Sequence, residues 1–256
     1  MTALFEDVIF GPIHSRRLGL SLGVNLLPLN CKLCSFECVY CECGWSTVGA
    51  KARFNKREDV RELLAVKLAE MVADGTPPDV ITFAGNGEPT MHPDFAAIID
   101  DTIALRDELC PSARISVLSN ATMIDRESVR AALLKVDNNI LKLDSAFDET
   151  VRLMNNPQGR YSVAATVENM MRFEGELIVQ TMFLRGEING VHVDNTCEVE
   201  IEAWLELLKE IAPKEVMIYS LDRDTPLETL EKVPVEELRA IAARVEAMGI
   251  KCMAAG

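Results

Sequence analysis

The chain has 256 residues, long enough for one large α/β domain or two small ones, and its 48% hydrophobic and 26% charged residues suit a globular protein with a sizeable core. A formal net charge of −14 argues against nonspecific coating of nucleic acid, which rests on Lys and Arg. No apolar run reaches transmembrane length and the opening MTALFEDVIFGP lacks the basic and long apolar segments of a signal peptide, so a cytoplasmic location away from any membrane is expected.

Residues 1–20 read as an N-terminal extension, a hairpin turning at Gly11-Pro12. Short apolar runs then recur, each brief enough to be a buried parallel strand: Val24–Leu27, Val80–Ala84, Ile115–Leu118, Ile140–Leu143, Leu177–Leu184 and Val216–Tyr219. Amphipathic stretches lie between and after them. Val60, Leu63, Leu64, Leu68, Met71 and Val72 keep helical spacing, as do Ile201, Trp204, Leu205, Leu208 and Ile211, and then Val235, Leu238, Ile241, Val245 and Met248. Gly75 with Pro77 and Pro78 stops the first helix, and Gly249 the last. Six β–α repeats predict a partial (β/α) barrel or an open doubly wound sheet, and both place chemistry at the carboxyl ends of the strands.

Eight cysteines are present, and five of them (Cys31, Cys34, Cys38, Cys41, Cys43) fall within thirteen residues just after the first strand-like run. In a reducing compartment such a group reads as a metal or redox site rather than a disulfide framework. Cys34-x3-Cys38-x2-Cys41 resembles the three-cysteine loop of the radical S-adenosylmethionine (SAM) superfamily. A [4Fe–4S] cluster usually takes four thiolates, so three from one loop leave an iron open to the amino and carboxylate groups of SAM. The cofactor carries the chemistry and the protein positions it. The alternative is a zinc knuckle, which usually shows two C-x2-4-C pairs separated by a longer insert, a pattern absent here. Cys31 and Cys43 are read as having no ligand role, with a second cluster or a redox pair as the alternatives. The resemblance implies that the backbone of Tyr40, the aromatic residue before the third cysteine, faces the adenine of SAM.

Companion residues are expected at later strand ends. Gly85-Asn86-Gly87-Glu88 resembles the superfamily's GGE motif, in which glycine carbonyls and the Glu carboxylate receive the SAM ammonium. Ser119 and Asn120 carry short polar groups suited to the ribose or carboxylate of SAM, with a helix cap as the alternative. Lys142 and Asp144 share one strand face and need a ligand or each other. One of the pairs Gln180 with Met182 or Thr181 with Phe183 should line the interior.

Gly11-Pro-Ile-His-Ser-Arg-Arg-Leu-Gly19, the cysteine loop, Gly85–His92, Lys142–Asp144 and Tyr219–Pro226 together resemble the stand-alone Fe–S oxidoreductases similar to the radical SAM core of tRNA wyosine-base synthases. The resemblance implies a partial (β/α)6 TIM-like barrel as a single domain over 1–256. Residues 1–20 would be the extension, about 21–222 the barrel strands, and 223–256 a C-terminal helix and tail. It further implies a [4Fe–4S] cluster on Cys34, Cys38 and Cys41, SAM as second cofactor, an electron donor such as flavodoxin or ferredoxin, and an RNA or nucleoside substrate. The wyosine synthases hold a second cluster through cysteines upstream of the core, whereas no cysteine here precedes Cys31. Arg16, Arg17 and Arg223 are candidate holders of an anionic substrate group. Lys51, Arg53, Lys56 and Arg57 with Phe54 form a basic run that suits RNA or, more simply, a solvated helix approach. Residues 1–60 carry seven Lys or Arg against six Asp or Glu, while the remainder carries nineteen against thirty-four, so an anion meets least repulsion at the cysteine-rich end. The rival readings are an activase that installs a glycyl radical on a partner protein and a zinc-stabilised binding module.

Overall fold

The computed structural model describes residues 4–15, 19–46, 52–223 and 225–255. Arg16, Arg17 and Lys51, named above, lie outside the described residues. The chain opens with β1 (Ile9–Ser15) and β2 (Gly19–Val24), an antiparallel pair running from Ile9 opposite Val24 to Ser15 opposite Gly19. The two strands pair as a hairpin, but Gly11-Pro12, the expected turn, lies within β1. It makes a register shift there, between Phe10 and Ile13. Gly11 takes φ +96°, and Pro12 has no N–H to give the ladder, so this dipeptide is suited to a bulge.

From β2 onward, strands and helices alternate. In chain order they are α1 (Arg57–Ala73), β3 (Val80–Phe83), α2 (Phe95–Leu109), β4 (Arg114–Ser119), α3 (Glu127–Leu133), β5 (Asn138–Lys142), α4 (Asp148–Asn155), α5 (Val163–Met171) and β6 (Ile178–Met182). There follow β7 (Leu184–Ile188), β8 (Val191–Asp194), α6 (Glu198–Ile211), β9 (Glu215–Tyr219), β10 (Leu230–Lys232), α7 (Val235–Glu246) and β11 (Lys251–Ala255). The main sheet has the order β1-β2-β3-β4-β5-β6-β9-β11, parallel throughout except for β1. This is the α/β architecture of the sequence reading, with successive parallel strands joined across helices. Among the described residues no pairing joins β1 to β11.

Three differences from the sequence reading have local causes. The first parallel strand ends at Val24 because Asn25, fully buried, turns its side chain back on the chain: Oδ1 accepts from Leu27 N (3.0 Å) and Asn86 N (3.3 Å). The long run Leu177–Leu184 divides at Phe183, whose N–H still reaches Tyr219 O (2.8 Å) while β7 leaves to form a small antiparallel sheet ordered β10-β7-β8. The expected tail contains a seventh parallel strand, β11, paired with β9 from Lys251 opposite Glu215 to Ala255 opposite Tyr219. Its Lys-Cys-Met-Ala-Ala sequence is poor in β-branched and aromatic residues and carries little strand signal of its own.

The core packs between sheet and helices. Leu22, Val24, Ile81, Phe83, Ile115 and Val117 from the strands meet Leu64, Leu68, Ile99, Trp204 and Leu208 from the helices, all essentially inaccessible. Burying such side chains is worth about 1.5–3 kcal/mol each before entropy is counted. Leu63 and Val72, at the edges of the apolar stripe on α1, remain exposed. The polar residues gather where the parallel strands end.

Candidate active site at the carboxyl ends of the strands

A cavity of about 340 Å³ opens at these strand ends. Cys34, Cys38, Cys41 and Cys43 line it, together with Lys32, Tyr40, Gly85, Gly87, Glu88, Ser119, Asn120, Lys142, Gln180, Met182 and Tyr219. Residues spaced over 188 positions thus converge because consecutive parallel strands deliver their final side chains to one side.

The cysteine loop is fixed by its backbone. Leu33 N donates to Asn86 O (2.8 Å) and Leu33 O accepts from Glu88 N (3.1 Å), so the loop pairs with the segment after β3. That pairing requires Gly87: its φ is +145°, and an added Cβ would sit 1.8 Å from Leu33 O. On the other side, Glu37 N donates to Asn155 O (2.9 Å), Val39 N to Met154 O (2.9 Å) and Gln158 N to Ser35 O (2.9 Å). The loop is held between β3 and the end of α4.

None of the cysteines forms a disulfide. Phe36 N and Asn120 Nδ2 donate to Cys34 Sγ (3.4 and 3.5 Å), and Asn155 Nδ2 donates to Cys38 Sγ (3.4 Å). Burial pushes the Cys34 and Cys38 thiols up, so metal binding there releases protons. The Cys43 hydrogen bond, resisted by burial and helped by the Lys32 charge, brings Cys41 down to about 6. Cys43 Sγ lies 3.2 Å from the Gly85 carbonyl. Cys31 is buried and does not line the cavity.

These observations test which metal group fits. A single zinc ion needs its ligands within about 2.3 Å of one point. Among the described residues no three Cys, His, Asp or Glu groups converge closely enough to hold one ion. An iron–sulfur cluster takes its thiolates on separate irons, and N–H donors to the sulfurs tune its potential. Three cysteines of one loop around a common cavity, two of them receiving N–H groups, fit the cluster.

Glu88 is 2% exposed. Its Oε1 accepts from Thr90 N (3.0 Å), the Thr90 hydroxyl and Ser119 Oγ (2.8 Å); its Oε2 accepts from Asn120 N (2.6 Å). A carboxylate offers about four lone-pair sites, two per oxygen, so Oε2 retains capacity for a ligand ammonium. Burial pushes this carboxyl above the usual range, against the pull of those hydrogen bonds. Asn86 is fully buried and its amide is committed to Phe5 and Pro28: Nδ2 donates to Phe5 O (2.9 Å) and Pro28 O (2.8 Å), and Oδ1 accepts from Phe5 N (2.8 Å). It supports the loop from behind. Asn120 steadies the cysteine loop through Ser35 Oγ (2.9 Å) and closes its own turn with Thr122 N (3.1 Å); neither it nor Ser119 caps a helix.

Across the cavity, Tyr40 donates its hydroxyl proton to Asp144 Oδ2 and accepts from Lys142 Nζ (2.9 Å) and Asn155 Nδ2 (2.8 Å). Asp144 also accepts from Asn155 Nδ2 (2.7 Å) and Met182 N (2.9 Å), with Lys142 Nζ at 3.6 Å. Burial holds Tyr40 well above the usual phenol range, and the Asp144 charge adds to this. Burial by itself would pull the Lys142 ammonium down, but Asp144 and then Tyr219 reverse that and hold it charged, above the usual lysine range. Lys142 lines the cavity, whereas Asp144 lies behind it as the partner expected for a buried ammonium. Gln180 and Met182 are the pair that faces inward, while Thr181 bonds Leu143 O (2.7 Å) and Phe183 packs edge-on against Trp204.

Among the described residues, the remaining candidates do not line the cavity. Arg223 stands at the rim, its Nη1 2.7 Å from Glu42 Oε2, with both side chains more than half exposed. Arg57 grips Asp101 through two hydrogen bonds (2.6 and 2.8 Å), and Phe54 stacks edge-on with His92 against the core, so neither is presented as an RNA-stacking surface. Lys32, Asn155 and Tyr219 carry site contacts that sequence reasoning did not assign. Tyr219 stood inside a quoted segment and Lys32 lies between Cys31 and Cys34, but Asn155 comes from a helix end with no motif signal.

A family model described as the radical SAM superfamily matches residues 31–196. UPF0026 protein MJ1312 of Methanocaldococcus jannaschii is 31% identical over 243 residues, spanning 92% of this chain and 70% of that protein. Among solved structures, a radical SAM methyltransferase from Sphaerobacter thermophilus superposes with a TM-score of 0.67 at 16% identity, over 92% of this chain but only 65% of its own length. TYW1 with a lysine-pyruvate adduct bound superposes with a TM-score of 0.62 at 15% identity, over 89% of this chain and 73% of that one. The last two likenesses concern the fold. Residues 31–196 contain the cysteine loop and every strand from β3 to β8, and the chain belongs to the radical SAM superfamily, whose [4Fe–4S] cluster and SAM are its cofactors.

Proposed function

We propose that Cys34, Cys38 and Cys41 hold the cluster and that the protein reductively cleaves SAM to methionine and a 5′-deoxyadenosyl radical, which takes hydrogen from a nucleoside of an RNA substrate. The observation that carries the reading is the convergence of these three cysteines with Glu88, Asn120 and Lys142 on one cavity of about 340 Å³. The bound cluster supplies the electron that breaks a carbon–sulfur bond of SAM. The chain's own residues do the positioning. Glu88 Oε2 and the Gly85 and Gly87 backbone receive the SAM ammonium, Tyr40 contributes backbone beside the adenine, and Lys142 offers a fixed positive charge to a carboxylate. Ser119 and Asn120 fix Glu88 and the cysteine loop from below. The electron donor is a flavodoxin or ferredoxin, and the location is cytoplasmic; no helix among the described residues is long and apolar enough to cross a membrane.

The RNA assignment is supported by the sequence segments shared with wyosine-type enzymes and by the near-neutral charge of residues 1–60 in an otherwise acidic chain. Anaerobic protein reconstituted with iron and sulfide, given SAM and dithionite, should release 5′-deoxyadenosine faster when tRNA lacking the modification is added. Acceleration by RNA supports the assignment. A basal rate indifferent to RNA, but raised by a peptide or a partner protein, would overturn it and leave SAM cleavage standing.

A further inference from the structure

Lys32 has no part in the SAM contacts above, yet its charged side chain is almost wholly buried beside the cysteines, 1% exposed. A buried ammonium requires compensation. Its Nζ donates to Gly44 O (2.9 Å), a neutral acceptor. The nearest carboxylate, Glu37 Oε1, is 3.7 Å away, beyond hydrogen-bond reach, and Glu37 is itself engaged by Ser46 through N–H (3.0 Å) and hydroxyl. Lys32 also lines the same cavity as Cys34, Cys38 and Cys41. The second lysine of the cavity also has a carboxylate at 3.6 Å, but there Tyr40 bridges the two, accepting from Lys142 Nζ and donating to Asp144.

We infer that Lys32 is a positioning residue for electron entry: its fixed charge stabilises the reduced, more negative state of the cluster and sets its reduction potential within reach of the donor. The inference rests on the cluster assignment to Cys34, Cys38 and Cys41. Net charge near a cluster and hydrogen bonds to its sulfurs are recognised determinants of potential. One electron adds one negative charge to the cluster, and a buried cation interacts with that charge less screened by salt than an exposed one would.

The test is a redox titration of the cluster signal by EPR, with iron counted in every sample. Lys32→Met keeps the length of the side chain and removes its charge. It should shift the midpoint to a more negative value by at least 59 mV, a tenfold loss in the one-electron equilibrium. Lys32→Arg should retain the wild-type midpoint. A Lys32→Met protein with its full complement of iron and an unchanged midpoint overturns the inference. If Lys32→Met does not take up iron, Glu37→Gln decides, because removing that nearby negative charge must shift the midpoint upward; no shift overturns the inference. Wild-type protein without iron would instead refute the cluster assignment itself.

Discussion

Replacing Gly87 by Ala should cost both stability and cluster binding, because one added carbon breaks the seam between the cysteine loop and the segment after β3. The Cβ would lie 1.8 Å from Leu33 O and 2.4 Å from Leu33 C, both backbone atoms that cannot rotate aside. Residue 87 would also have to hold φ at +145°, a region worth about 1–3 kcal/mol of strain for a residue with a side chain. Retreat of the loop would sacrifice the Leu33 N to Asn86 O and Glu88 N to Leu33 O bonds, each worth about 0.5–1.5 kcal/mol. The total is about 2–6 kcal/mol, and the relaxation falls on the residues immediately before Cys34. Urea unfolding of the apoprotein should show a lowered midpoint, and reconstitution should yield less than half the wild-type iron. Gly159→Ala, at a position with no atom within 4 Å of the added carbon, is the matched control and should change neither. If Gly87→Ala unfolds and loads iron like the wild type, the loop does not depend on this seam and the reasoning fails.

Two further expectations concern charge. Lys142→Met strips the ammonium from the fully buried Asp144 and should destabilise by about 3 kcal/mol, the low end for a broken buried pair because Tyr40 and Asn155 still hydrogen-bond the carboxylate. Adding Asp144→Asn should recover part of that loss in a double-mutant cycle; strictly additive losses would show that the pair is not coupled. The Asp101 carboxyl is held below its ordinary range by the Arg57 hydrogen bonds, so its stabilising contribution is present above the unfolded value, about 3.9, and disappears as pH falls through the lower folded value. Asp101→Asn should therefore flatten the acid limb of the stability curve in that window without altering stability differences higher in pH. A limb of unchanged steepness would contradict this.

Much of the architecture could be read from periodicity, because the central parallel strands are buried on both faces and declare themselves as apolar runs; β3, with all four residues buried, is the clearest. The strand β11 could not be read this way, since Met253, Ala254 and Ala255 become a strand through pairing with β9 rather than through their own preference. Turn chemistry misled at Gly11-Pro12, where the same dipeptide that starts many turns serves a bulge. At the site, residues next to one another in a motif were legible and their division of labour was not. Asn86 and Glu88 both stood in the glycine-rich segment, but only the fold shows that Asn86 turns its amide to Phe5 and Pro28 while Glu88 borders the cavity. Asn155 was invisible because its role depends on α4 ending beside Cys38, a tertiary fact with no local spacing to betray it.

The most direct test of the central claim is metal analysis after anaerobic reconstitution, comparing wild type with the Cys34→Ala, Cys38→Ala, Cys41→Ala triple variant and with Cys31→Ala. The cluster assignment requires about four iron and four sulfide per chain in wild type and in Cys31→Ala. It requires none in the triple variant, with 5′-deoxyadenosine formation lost in parallel. A colourless wild-type protein carrying one zinc and no iron, or a triple variant that keeps its cluster, would contradict it.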